Sequence, residues 1–326
     1  MNLLSVSGIS KQAENGLVLK NVNFEQQQCR KIAIAGETGS GKSTLLKIIA
    51  GFVQTSSGEV RFKDEKVLGP EEKLIPGHKG IAYLSQHFEL RNNYRVEELL
   101  EMANKIPDEQ AGLIFKVCQI EHLLKRRTDQ LSGGEKQRIA VARLLITSPE
   151  LLLLDEPYSN LDIEHKKVLK SVVHDICEKL KITCILISHD PLDTLSWADD
   201  ILVMKDGRII QKGTPIQVYR KPVNEYVAGL FGSYNKITQH FIKNFPGLVR
   251  QVNGKNIFLR PEDFRIVTDE QKAIIGEVNK VLYFGGYYEI DVRVDETMIT
   301  VKTGEHSFMK GDLVYVSLQL DEVRYV

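Results

Sequence analysis

"GETGSGKST", residues 36–44, stands between the apolar run "KIAIA" (31–35) and "LLKIIAG" (45–51). Gly36, Gly39 and Gly41 fall close together beside Lys42 and the hydroxyls of Thr38, Ser40, Ser43 and Thr44. Glycine loses more backbone freedom on folding than any other residue, so a cluster of them at a helix start implies backbone that must come close to something. N–H groups of such a loop and of the helix it opens point inward and suit an anion.

The spacing G-x-x-x-x-G-K-[ST] between a strand and a helix is the P-loop pattern. It predicts that Gly36, Glu37, Thr38, Gly39, Ser40, Gly41 and Thr44 line a bound polyphosphate. Lys42 reaches the β- and γ-phosphates, and the Ser43 hydroxyl serves as a Mg²⁺ ligand. A P-loop by itself does not separate a kinase from a GTPase or a motor. "LLLLDEP" (151–157) narrows the choice, because it puts Asp155 at the C-terminal end of a buried strand, where ligands sit in open α/β sheets. Asp155 is then placed to hold Mg²⁺, and Glu156 to orient and polarise the water that attacks the γ-phosphate. In "LSGGEKQR" (131–138), Ser132, Gly133 and Gly134 open a further helix and offer a second set of N-terminal amides to an anion. On its own that is an ordinary serine N-cap followed by a glycine pair.

Taken together, the motifs resemble those of the ATP-binding cassette ATPases. "GETGSGKST" is similar to their Walker A motif, "LSGGEKQR" to their signature and "LLLLDEP" to their Walker B. "SNLD" (159–162) resembles their D-loop, Gln86 in "YLSQ" their Q-loop, and His189 in "ISHD" their switch histidine. The resemblance spans residues 1–232 with the motifs in family order. It implies a head-to-tail pair of cassettes, each ATP lying between one P-loop and the other chain's signature. A second copy, or a homologous cassette, would bring Ser132, Gly133, Gly134 and Asp162 to its partner's nucleotide. It also implies that His189 contacts the γ-phosphate and that Gln86 senses Mg²⁺ and the attacking water. ATP and Mg²⁺ are the expected cofactors.

Short apolar runs alternate with helical patterns over this region. "KIAIA", "GIAYLS", "LLLL", "CILIS" and "ILVM" read as strands covered on both faces of a parallel sheet. "KSTLLKIIAG", "VEELLEMANKI", "EKQRIAVARLLI" and "IEHKKVLKSVVHDICEKL" read as helices. The expected fold is an α/β P-loop NTPase domain (1–232) with a helical subdomain at about 87–135. After it, "GEVNKVLYFGGYYEIDVRVDETMITVKTGEHSFMKGDLVYVSL" (276–318) alternates apolar and polar residues between turns, so 233–326 reads as a small antiparallel β domain of barrel type. "IIQKGTPIQVYRKP" (209–222), "FLRPEDF" (258–264) and "KGDLVYVSLQ" (310–319) resemble importer ATPases with a C-terminal TOBE-type domain, those serving maltose, sulfate, spermidine/putrescine or ferric iron uptake. "RPED" alone reads as a turn with an N-capping acid. The tail here is shorter than is usual in that group, and "FELRNNYRVEELL" (88–100) lacks the proline common in its Q-loop region.

Charge and cysteine content agree with this. Lys plus Arg and Asp plus Glu number 43 each, so no net charge favours nucleic acid or an anionic membrane. That counts against the alternative of a non-transport cassette ATPase acting on nucleic acid or another assembly. No apolar run reaches the ~18 residues needed to cross a bilayer, and "MNLLSVSGISKQAENG" lacks the layout of a secretion signal. Cys29, Cys118, Cys177 and Cys184 show no C-x-x-C spacing and read as reduced thiols, mostly core. The resemblance then implies a cytoplasmic protein, peripheral on the inner face of the membrane, coupled to transmembrane permease subunits and an external solute-binding protein.

One departure concerns the base. The family stacks adenine on an aromatic residue just before the first strands, whereas "SKQAENGLVLKNV" (10–22) offers Ala13 or Glu14 there. Without a stacking contact worth about 1–3 kcal/mol, affinity rests on the triphosphate. GTP is therefore expected to compete with ATP within about an order of magnitude in a nucleotide competition at saturating Mg²⁺. Strong discrimination against GTP would show that another residue reads adenine.

Overall fold

In the run Leu151–Leu154, Leu151 and Leu153 enter one core and Leu152 and Leu154 the other. Successive side chains of a strand point to opposite faces, so a strand covered on both sides has no place for a polar residue until it ends. The same division holds in the neighbouring strand, with Cys184 and Leu186 on one side and Ile185 and Ile187 on the other. Complete burial of one such side chain is worth about 1.5–3 kcal/mol.

The computed structural model describes residues 2–13, 16–86, 90–159, 161–238, 241, 257–268 and 273–319. The chain divides into two compact units, Met1–Pro215 and Ile216–Val326. The first contains strands β1 (Asn2–Ala13), β2 (Gly16–Gln27), β3 (Lys31–Ala35), helix α1 (Lys42–Ile49), β4 (Ser57–Phe62), β5 (Glu65–Lys66) and β6 (Ile81–Leu84). Helices α2 (Val96–Glu101), α3 (Asp108–Val117) and α4 (Gly133–Leu145) follow, then β7 (Leu151–Asp155), α5 (Ile163–Lys179), β8 (Thr183–Ile187), α6 (Pro191–Leu195), β9 (Asp200–Lys205) and β10 (Arg208–Gly213).

The main sheet runs β10-β9-β3-β8-β7-β6, parallel throughout except for the β10–β9 pair. One face carries the core shared with β1, β2, β4 and α1. The other packs on α2, α3, α4 and α5. Among the described residues no helix is long and apolar enough to cross a membrane.

Two features go beyond the sequence reading, while the cysteines follow it. An antiparallel sheet, β2-β1-β4-β5, is built from strands on both sides of the P-loop strand and α1 in sequence. Register shifts in the β1–β2 pairing break the strict alternation that would have advertised it. "VEELLEMANKI" was expected to be helical throughout, yet α2 stops at Glu101, and the Lys105 N–H bonds to the Ile146 carbonyl at 3.0 Å. Pro107 then starts α3, whose first turn carries Asp108 and Glu109. Three of the four cysteines are buried and Cys29 is exposed.

The division at Pro215 differs from the boundary at 232/233 suggested by composition, because composition marks the change from helix to strand and not the packing. Helices α7 (Pro215–Arg220) and α8 (Glu225–Leu230) belong with the β elements that follow: β11 (Asn235–Ile237), β12 (Ile257–Leu259), β13 (Phe264–Val267), β14 (Ile274–Tyr283), β15 (Tyr288–Val294), β16 (Thr297–Thr303) and β17 (Leu313–Leu318). Five of these form an antiparallel sheet, β13-β17-β14-β15-β16, as expected of a small barrel-type domain.

Arg260 of "RPED" ties the second unit together. Its side chain is buried. Nε and Nη2 donate to the Tyr219 carbonyl at 3.1 and 2.9 Å, and Nη1 to the carbonyls of Ala228 (2.9 Å), Gly232 (3.1 Å) and Ser233 (3.0 Å). The guanidinium also lies 4.1 Å from the Tyr219 ring centre. Burial lowers its pKa, but five contacts from Nε, Nη1 and Nη2 to carbonyls replace the lost hydration. The turn itself has the expected capping acid, with Asp263 accepting from the Arg260 N–H at 2.7 Å. Arg260→Ala leaves these carbonyls without a donor and is expected to destabilise this unit by on the order of 3 kcal/mol or more. Hydrogen exchange should accelerate in the strands from Phe264 to Leu318 and stay unchanged in Met1–Pro215. Unaltered protection in those strands would refute the role given to Arg260.

Candidate nucleotide site

Because β3, β6, β7 and β8 are parallel, their C-terminal ends share one edge of the sheet. There the chain first has room for polar groups. The edge receives the 36–41 loop after β3, Gln86 after β6, Asp155 and Glu156 at the end of β7, and Ser188 and His189 after β8.

Gly41 takes φ +98° as N-cap of α1, and a Cβ there would sit 2.7 Å from Leu19 Cδ2 and 2.8 Å from the Val18 carbonyl. Only glycine accommodates both constraints. The α1 N-terminus has neither a side-chain cap nor an acid in its first turn, so its N–H groups are left for an incoming anion. Lys42 is nearly buried, and its Nζ donates to the carbonyls of Gly36 (2.8 Å) and Glu37 (2.7 Å) and approaches Ser40 Oγ at 3.4 Å. Burial lowers the Lys42 pKa, while Glu156, Asp155 and Glu37 oppose that shift.

Asp155, 3% exposed, receives the Ser43 hydroxyl at 2.9 Å on one oxygen and the Tyr83 hydroxyl at 2.8 Å on the other. Glu156 has the left-handed backbone φ of 49°, uncommon outside glycine, and its N–H returns to the Ile187 carbonyl at 3.1 Å. That turn brings its carboxylate to Gln86 Nε2 at 3.2 Å and to His189 Nδ1 at 3.5 Å. The expected water-activating acid, Q-loop glutamine and switch histidine therefore meet at one oxygen, Oε2. Beside them opens a cleft of about 240 Å³, lined by Glu156, Ser159, Lys166, Ser188 and His189 among others.

Ser132 and Asp162 form a second cluster. Ser132 caps α4 in a reciprocal box with Glu135, accepting its N–H at 3.2 Å, while its own N–H donates to the Glu135 carboxylate at 2.8 Å. Asp162 caps α5 by accepting the His165 N–H at 2.9 Å. Gln137 is buried and donates to the Pro157 carbonyl, joining the signature helix to the turn after Glu156. A Cβ on Gly133 would meet no atom within 4 Å, so that stretch of backbone is open to approach.

Sequence reasoning missed Tyr83, His165 and the lysines that fix the switch-histidine loop. Asp193, almost fully buried, accepts the Ser188 hydroxyl at 2.9 Å. It also forms ion pairs with Lys170 at 2.5 Å and Lys166 at 3.2 Å, which are not aligned as hydrogen bonds. Lys166 further meets Asp190 at 2.6 Å. The i, i+4 spacing of the two lysines on α5 was the available signal. Ala13, the position expected for base stacking, is exposed at the tip of the β1–β2 hairpin beside half-exposed Leu17, and Glu14 lies outside the described residues.

Known proteins resemble this chain in family and in fold. A family model described as ABC transporter matches residues 19–159, and one described as TOBE domain matches 257–326. Proteins named spermidine/putrescine import ATP-binding protein are similar over nearly the whole length. The one from Desulfitobacterium hafniense is 31% identical over 90% of this chain and 89% of its own. The one from Spiroplasma citri is 31% identical over 99% and 97%. Among solved structures, CbiO1 of a Clostridium perfringens ABC transporter complex aligns with TM-score 0.59 at 28% identity, covering 67% of this chain and 90% of that one. The ADP form of the cassette MJ1267 aligns with TM-score 0.61 at 26% identity, covering 71% and 98%. A dimeric post-hydrolysis form of the cassette MJ0796, bound to ADP and Pi, aligns with TM-score 0.56 at 26% identity, covering 65% and 99%.

The Tyr83–Asp155 bond gives a pH-dependent expectation. Burial first, and then the bond to Asp155, raise the Tyr83 pKa above its usual value, so the hydroxyl stays a donor where an unfolded tyrosine ionises. Its contribution is fully present below pH about 10 and declines above it, because only the unfolded chain then releases the proton. Tyr83→Phe is expected to cost about 1.5–3 kcal/mol in urea unfolding at pH 8, and the gap to wild type should narrow at higher pH. A gap that widens with pH would contradict the assignment.

Proposed function

The chain belongs to the ATP-binding cassette transporter ATPases, and from that membership we propose how its own residues bind ATP, drive hydrolysis and engage partners in an importer. It is the ATP-binding and hydrolysing subunit of an ABC transporter of importer type. The observation that carries the mechanism is the meeting of Gln86, Glu156 and His189 at one carboxylate oxygen on the sheet edge that holds the P-loop.

Lys42 exchanges the Gly36 and Glu37 carbonyls for β- and γ-phosphate oxygens, while the free N–H groups of α1 receive the remaining charge. Ser43 and Asp155, both oxygen donors and already in contact, suit the oxygen preference of Mg²⁺. Held by these two residues, Mg²⁺ would supply positive charge to offset that of the β- and γ-phosphates. Glu156 accepts a hydrogen bond from the attacking water and polarises it. Gln86 and His189 hold that carboxylate in place, and His189 extends to the γ-phosphate. Ser132, Gly133, Gly134 and Asp162 face the nucleotide of a second cassette, a reading supported by the open backbone at Gly133 and by the dimeric MJ0796 structure.

We read the partners as transmembrane permease subunits, with an external solute-binding protein delivering solute, and the location as the inner face of the membrane. The relatives' names support a polyamine as the solute.

Glu156→Gln keeps the shape and the bond to Gln86 but removes the charge that polarises water. It should retain ATP binding, lower turnover by on the order of a hundredfold or more, and accumulate an ATP-bound dimer. Cells carrying only this variant should lose ATP-driven spermidine accumulation. Undiminished hydrolysis would reject the role of Glu156, whereas lost hydrolysis with normal spermidine accumulation would reject the solute.

A further inference from the structure

Ser132 and Asp162 are brought together by His165, a residue of none of the family-like motifs. His165 Nδ1 lies 2.7 Å from Asp162 Oδ2, and Nε2 lies 3.3 Å from Ser132 Oγ. An ionised carboxylate only accepts, so Nδ1 carries a proton, and in the neutral imidazole Nε2 then presents its lone pair. The Ser132 hydroxyl therefore donates its one hydrogen to His165, while its oxygen accepts the Glu135 N–H. The approach depends on Gly134. A Cβ there would fall 2.4 Å from His165 Cδ2 and 2.8 Å from Cγ, pressing on the ring itself.

We propose that His165 is a positioning residue that holds the Ser132 hydroxyl hydrogen against its own chain and releases it only when a second cassette presents a nucleotide. This rests on the reading that Ser132 meets ATP held by the partner copy. Phosphate oxygens at neutral pH are acceptors, so Ser132 can bond them through its hydroxyl only with the hydrogen that His165 now receives. Closure exchanges one hydrogen bond for another instead of adding one. The engagement of Ser132 is thereby weakened, and the D-loop acid Asp162, which fixes the ring, is coupled to the signature serine through a single side chain. Asp162 remains able to cap α5 without the ring, because the cap uses the backbone N–H of residue 165.

The test is steady-state ATPase of the full-length chain at saturating Mg²⁺, with KM for ATP and kcat measured separately. Relieving the competition for one hydrogen bond, His165→Ala should lower KM by about two- to tenfold and move kcat less than KM. In His165→Gln the amide oxygen reaches the Nε2 position and should return KM towards wild type. His165→Asn reaches only the Nδ1 position and should behave like His165→Ala. On a Ser132→Ala background His165→Ala should change nothing further, since the hydroxyl through which it acts is gone. An unchanged or raised KM in His165→Ala, or an equal drop with and without Ser132, would overturn the proposal. If Ser132→Ala itself leaves KM unaltered, the reading of Ser132 at the nucleotide fails first. A raised KM in Ser132→Ala beside a silent His165→Ala sinks this inference alone.

Discussion

The burial of both faces of the parallel sheet governs the rest of the first unit. Leu151 to Leu154 and Thr183 to Ile187 are closed to water on either side, so an ionisable group within them would be stranded without hydration. Polar chemistry is displaced to the strand ends, and parallel strands put those ends together. Asp155 sits at that limit, nearly buried but supplied with hydroxyl donors from β6 and α1. Glu156, one residue further, turns out through a left-handed backbone and enters a different set of contacts. Adjacent acids thus acquire separate surroundings, one fit to hold a cation and the other to face water.

The same constraint shapes the phosphate loop. Lys42 is a cation withdrawn from water, and among the described residues its hydrogen-bond partners are two carbonyls and a hydroxyl. The carbonyls of Gly36 and Glu37 hold it, and the nearby acids counter its desolvation only through space. Neutral carbonyls satisfy an ammonium less well than phosphate oxygens do, so the loop is arranged to favour the exchange on nucleotide binding. A glycine at position 41 is needed because β2 passes directly behind the loop. The antiparallel sheet is therefore a support for the phosphate site as well as a cover for the core.

What the sequence made legible follows from how strongly chemistry restricts each position. The P-loop, the Asp155–Glu156 pair, Gln86, Ser132 and His189 could be put forward as candidates because the residue types and order of their motifs are restricted, and the fold gathers Ser43 with Asp155 and Gln86 with Glu156 and His189. The strands of the main sheet were equally plain, since double burial leaves unbroken apolar runs. Tyr83 was hidden because a tyrosine in "GIAYLS" reads as one more strand residue, and only the parallel pairing of β6 with β7 sets it beside Asp155. Arg260 was visible only as part of a turn, because its partners are backbone carbonyls and carbonyls have no sequence. The N-terminal sheet escaped because its bulged register dilutes the alternation on which strand reading depends.

Two partly formed sites in one chain leave a consequence for assembly. The P-loop edge offers N–H groups that lack a side-chain cap, and the Ser132–Gly133 stretch offers exposed backbone at the start of a capped helix. Both surfaces are donor-rich, so they do not complement one another directly; a ligand of several negative charges is what can join them. In the proposed dimer a triphosphate between two copies would satisfy one set of donors from each chain, and twofold symmetry would repeat the arrangement at a second nucleotide. On that proposal, hydrolysis would remove the γ-phosphate that the Ser132 side holds and so weaken the contact it created. With its hydroxyl hydrogen already shared with His165, Ser132 has a bond within its own chain to return to when the phosphate leaves. Reopening then costs less, which is the property a motor that must cycle requires.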